Sequence, residues 1–116
     1  MDTRILREGI YFGEGPRWHA GRLWFSDFYA HAVMSIGPEG DLRTECLLDD
    51  QPSGLGWLPD GRLLVVAMHR RQVLRLDPGG LVVHADLSGV ATWHANDMVV
   101  DAHGGAWVGN FGFDLD

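Results

Sequence analysis

The chain has 116 residues, 46% of them apolar and 22% charged, with a formal net charge of -7. That length suffices for one ordinary domain, and the aliphatic and aromatic content is too high for a disordered chain. The acidity argues against a phosphate backbone as partner and fits either a bound cation or plain solubility.

The N-terminal residues Met1-Asp2-Thr3-Arg4 are followed by no apolar stretch of signal-peptide length. The longest apolar run, Leu63 to Met68, is far too short to cross a bilayer. The expectation is a cytoplasmic protein with neither membrane nor nucleic acid as partner. A lone cysteine, Cys46, excludes an intrachain disulfide and reads as a small apolar side chain.

Along the chain, Glu14 to Asp27 reads as a strand, a tight turn at Gly21 and a second strand. Two further strands follow, Ala32 to Ile36 and Leu42 to Leu48, around the turn Gly37-Pro38-Glu39-Gly40. The same order recurs from Ser53 to Ala67 with its turn at Gly61. Strands Gln72 to Leu76 and Leu81 to Leu87 then flank Asp77-Pro78-Gly79-Gly80. A third copy opens at Asn96, turns at Gly104 and reaches its second strand near Val108 to Phe113. The turn glycines are 40 and 43 residues apart. A unit of four antiparallel strands in about 40 residues has the size of a propeller blade. The fold class is therefore all-β, an incomplete ring of about two and a half four-stranded blades over 12–50, 51–92 and 93–116. The competing architecture is a generic β-sandwich. Polar residues interrupt the aliphatics of Gln72-Val73-Leu74-Arg75-Leu76 too often for a helical stripe, and the unbroken apolar run after Arg62 suits a strand buried on both faces.

No H-E-x-x-H, no cysteine pair, no G-x-S-x-G elbow and no P-loop is present. The six histidines show no paired ligand spacing. The repeat itself points to a site. With Trp18, Trp57 and Val100 as equivalent landmarks, the residue four positions earlier is Glu14, Ser53 and Asn96. Each opens the first strand of its unit, which in a propeller is innermost and begins at one mouth of the central channel. A carboxylate, a hydroxyl and a carboxamide at one height form a set of oxygen donors of the kind calcium takes. The alternative makes Glu14 a solvated rim residue and Asn96 a turn-former.

Glu14-Gly15-Pro16-Arg17-Trp18 resembles the E-G-P-x-W opening of the SMP-30/gluconolactonase/regucalcin-like family. His94-Ala95-Asn96-Asp97, with Val100-Asp101 and Gly104-Gly105 after it, resembles that family's R-x-N-D-x-x-x-D-x-x-G segment. Ser53 to Gly61 is similar to its second-blade hairpin, and the likeness runs from about Phe12 to Gly112. The resemblance implies a six-bladed propeller, of which this chain is the N-terminal portion, and a lactone hydrolase that uses a divalent metal, calcium first and zinc or manganese as alternatives. It implies Glu14 as a metal ligand and Asn96 as a ligand or a substrate contact. His94 stands where the family often has a substrate-binding arginine, with Ser53 a further substrate-binding candidate. Gly109-Asn110-Phe111-Gly112 departs from the family's Gly-Thr-Met. The remaining ligands, an asparagine and an aspartate, and the general base are expected beyond residue 116. The expected partner is a small-molecule lactone or sugar-acid derivative. A phosphotriesterase-like hydrolase and a non-catalytic binding propeller are the alternatives on the same scaffold.

Overall fold

In a computed structural model, which describes residues 9–10, 13–91 and 93–110, ten strands form three antiparallel sheets. The first sheet is a meander of β1 (Gly13–His19), β2 (Arg22–Asp27), β3 (Ala32–Ile36) and β4 (Leu42–Leu47). The second repeats it with β5 (Pro52–Trp57), β6 (Leu63–Ala67), β7 (Gln72–Asp77) and β8 (Gly80–Asp86). The third holds the inner hairpin alone, β9 (Ala95–Val100) and β10 (Ala106–Asn110). Helix is absent among the described residues, so none there is long and apolar enough to cross a membrane.

The expected strands recur with small shifts at their ends. β4 and β8 stop one residue early, at Leu47 and Asp86, because the next amide leaves the ladder. The Leu48 amide donates to His31 O at 2.8 Å, and the Leu87 amide to Arg71 O at 2.7 Å. Both acceptors sit in the left-handed region, at φ 54° for His31 and 56° for Arg71. Identical local geometry 40 residues apart is the repeat expressed in backbone form. Of the last expected strand, residues 111–113 lie outside the described residues.

The inner turns come in two kinds. β1 and β2 join through Ala20 and Gly21 alone, both at positive φ (50° and 77°), the two-residue geometry that matches strand twist. The β5–β6 and β9–β10 turns are longer. In them Gly61 and Gly104 donate to Leu58 O and Asp101 O at 2.8 and 3.1 Å.

Strand β6 is buried along its whole length and serves two cores by simple alternation. Leu63, Val65 and Ala67 face the first sheet, meeting Val33, Leu48, Leu55 and Leu74. Leu64 and Val66 face the third, meeting Val73, Ala95 and Met98. Successive sheets thus pack face to face with β1, β5 and β9 as neighbouring inner strands, the arrangement of consecutive propeller blades. The first interface also holds an aromatic group. The His19 ring stacks on Trp57 at 3.9 Å, and Trp24 meets Trp57 edge-on at 5.3 Å. Cys46 packs against this core, where burial pushes its thiol up to about 11 and keeps it unreactive at neutral pH.

Candidate active site at the bulged ends of the inner strands

Each inner hairpin carries an extra residue near the start of its inner strand, at the same place in the second and third copies of the repeat and one residue later in the first. Between the paired positions Glu14 and Arg17, three steps along β1 face two along β2. The same mismatch falls between Pro52 and Leu55 in β5, and between Ala95 and Met98 in β9. A bulge bends its strand and re-aims a side chain. Ser53 and Asn96 lie inside their bulges, and Glu14 is the last paired residue before its own.

The structure brings these three together. The buried Ser53 hydroxyl donates to Asn96 Oδ1 at 2.8 Å and is also a hydrogen-bond partner of the Glu14 carboxylate. A hydroxyl has one proton, so it satisfies one of these oxygens at a time. Glu14 is half-buried, and desolvation raises its pKa above the usual carboxylate value. The Ser53 hydrogen bond opposes that rise and the nearby Asp97 charge adds to it.

Close backbone approach seats the array. A Cβ on Gly54 would lie 2.5 Å from the Met98 amide nitrogen and 2.8 Å from Asp97 Cα, and one on Gly15 would lie 2.9 Å from Ser53 O. Only glycine lets the three strands draw in this far. Behind them the buried Ser26 hydroxyl donates to Ser53 O.

Sequence reasoning passed over two residues beside the array, Arg17 and Asp97. Arg17 Nη2 donates to Asp97 Oδ1 at 2.9 Å and to Met98 O at 3.1 Å, and its Nη1 donates to Pro16 O at 2.8 Å. Both residues stand inside the motifs already quoted, but their pairing across 80 residues follows from the bulges, which leave no periodic trace. Arg17 and Trp18, with Gly56, Trp57, Val99 and Val100, also line a cavity of about 320 Å³.

His94 lies on the segment leading into β9, two residues before Asn96. Its half-buried ring stacks on Trp93 at 4.9 Å and tilts against His69 at 4.1 Å. His69 in turn bonds the Gln51 side chain, and the adjoining turn is held by the buried Asp50 carboxylate, which accepts from the Gln51 and Arg70 amides at 2.7 and 3.0 Å. His94 is therefore seated in an aromatic group between the second and third sheets.

As a donor set, Glu14, Ser53 and Asn96 offer one carboxylate and two neutral oxygens, with a single hydroxyl proton between the carboxylate and the carboxamide oxygen. Among the described residues no three His, Cys, Asp or Glu side chains group closely enough to hold a metal, so the nitrogen and sulfur donors of a structural zinc site are not gathered here. An oxygen-rich, proton-poor set fits a hard cation.

Comparison with known proteins agrees with this architecture. A gluconolactonase from Xanthomonas campestris superposes with a TM-score of 0.74 at 24% identity, covering 92% of this chain and 37% of that one. A structure described as a putative gluconolactonase also gives 0.74, at 22% identity, covering 97% of this chain and 44% of that one. A streptogramin B lyase gives 0.52 at 12% identity, covering 84% of this chain and 48% of that one. The chain thus spans less than half the length of these solved relatives, and the likeness establishes a β-propeller fold. No curated protein sequence matches it. The family model for the SMP-30/Gluconolactonase/LRE-like region matches residues 12–116, and the chain belongs to that family.

Proposed function

We propose that the intact protein hydrolyses a lactone or a related sugar-acid ester with the help of a divalent cation, calcium first. The observation that carries this reading is the oxygen array itself. Glu14, Ser53 and Asn96 stand at or beside the bulges of three inner strands and share one hydroxyl proton. Glu14 and Asn96 would hold the ion. A cation bound there supplies polarisation of a carbonyl and a lowered pKa for a bound water.

This chain's residues have distinct parts in that chemistry. Glu14 supplies the negative charge that offsets the ion, and its desolvated setting strengthens any electrostatic contact it makes. Ser53 orients the Asn96 carboxamide by donating to Oδ1 and offers the substrate a hydroxyl partner. His94, two residues upstream on the same strand entry, discriminates among substrates as a lining group. The general base is assigned to the rest of the ring.

The test is calorimetric titration of the intact protein with calcium, manganese and zinc, together with acid release from gluconolactone. Saturable binding of one of them, coupled to turnover, supports the reading. Hydrolysis of phosphotriesters in preference to lactones would move the substrate class while leaving the site in place. A protein that binds no metal and turns over neither substrate is a non-catalytic binding propeller.

A further inference from the structure

We infer that Arg17 is a positioning residue whose guanidinium locks together the two bulges that aim Glu14 and Asn96; this rests on the reading of those residues as an ion-holding pair. The bulge between Glu14 and Arg17 includes Pro16, whose carbonyl accepts from Arg17 Nη1 at 2.8 Å. The bulge in β9 lies between Ala95 and Met98, and the Met98 carbonyl accepts from Arg17 Nη2 at 3.1 Å. The same Nη2 reaches Asp97 Oδ1, inside that bulge, at 2.9 Å. One planar fork therefore contacts both irregular backbone segments, each within two residues of a proposed ligand.

Its span separates this arrangement from an ordinary surface ion pair: it joins β1 to β9 past the intervening strand β5, whose Gly56 lines the cavity beside Arg17. In exposure it is ordinary, with 31% of the Arg17 side chain and 58% of the Asp97 side chain accessible. Pairs so exposed contribute little to folding stability, so the expected effect is on the geometry of the site. Lysine cannot replace it, because an ammonium lacks the fixed fork that reaches three acceptors at once.

The experiment titrates the intact protein with calcium by calorimetry, below the melting transition of every variant. Arg17→Met removes the charge and the fork while keeping an apolar stem, and Arg17→Lys keeps the charge alone. Both are expected to lose calcium affinity, Arg17→Met by tenfold or more and Arg17→Lys by most of that factor. Asp97→Asn added to Arg17→Met should cause no further loss, since the partners act as one strut. Arg75→Gln, on strand β7 two strands away from the inner strand β5, serves as the control. Affinity within twofold of wild type in Arg17→Met overturns the inference, as does full affinity in Arg17→Lys. A lowered melting temperature with unchanged affinity makes Arg17 merely structural and overturns it too. Wild-type protein that takes no calcium overturns the metal reading of Glu14 and Asn96, and this inference falls with it.

Discussion

Two carboxylates on the inner hairpins, Glu14 at the bulged end and Asp101 at the turn end, show opposite electrostatics. Asp101 Oδ1 accepts from the His103 and Gly105 amides at 2.9 Å each, and Oδ2 from Trp107 Nε1 at 3.3 Å. The Gly105 amide is the foremost of several donors that hold its carboxyl below the usual range. Glu14 is half-buried with a serine hydroxyl as its hydrogen-bond partner, and desolvation pushes it the other way. An acid supplied with backbone donors is committed to a turn. An acid stripped of water and given half a share in one proton has capacity left for a cation.

The largest way to break this contrast is to force the bulged ends apart. Gly54→Val sets a side chain against the Asp97–Met98 backbone, which cannot swing aside. A loss of about 3 kcal/mol in urea unfolding is expected from overpacking of this kind, and calcium binding should go with it. Gly54→Val with near wild-type stability would mean that the inner strands are not drawn together at the site.

Next comes Glu14→Gln, which keeps shape and removes charge. Calcium affinity in the intact protein should fall tenfold or more, about 1.4 kcal/mol, and lactone turnover should fall in parallel. The metal-free protein should respond with the opposite sign. A carboxyl whose folded pKa is raised favours the folded state while protonated, and that contribution is lost as pH rises through the folded value. Glu14→Gln should therefore be at least as thermally stable as wild type at pH 7 without metal. Thermal scans with and without calcium separate the two effects, and a rim residue would show neither.

Asp101→Asn sharpens the contrast from the other end. Its folded pKa is lowered, so its contribution is present above the unfolded carboxylate pKa and lost as pH falls through the folded value. The variant should melt below wild type at pH 7 and converge with it in strong acid, while calcium affinity is unchanged. A calcium defect in Asp101→Asn would dissolve the distinction between the two ends. The smallest effect belongs to Ala20→Gly. Ala20 sits at φ 50°, which costs a side-chain-bearing residue energy that glycine avoids. Relief of that strain, less the added chain entropy, should raise stability by about 0.5 kcal/mol without touching the site.

The hairpins are legible in the sequence because a turn glycine at 40- and 43-residue spacing punctuates short apolar runs. The nearness of Glu14, Ser53 and Asn96 is legible for a related reason, since equal offsets from a landmark mean equal height on equivalent strands. The bulges are not legible. An extra residue in one strand shifts register without changing composition, so the Arg17–Asp97 contact, 80 residues apart, cannot be foreseen from alternation. His94 illustrates a different limit. The family resemblance marks its position as substrate-facing, but its packing on Trp93 and His69 depends on how two loops from different sheets meet. Strand ends at Leu47 and Asp86 depend on which carbonyl captures the next amide, a choice made by the His31 and Arg71 turns.

The stack of His19 on Trp57 makes the first sheet-to-sheet junction optically addressable. Trp57 belongs to the second sheet and His19 to the first, so parting of the two sheets changes the surroundings of one indole while both ladders stay intact. A change in tryptophan fluorescence that precedes the loss of β-sheet circular dichroism on warming would mark the blade junction, rather than the blade, as the first element to yield.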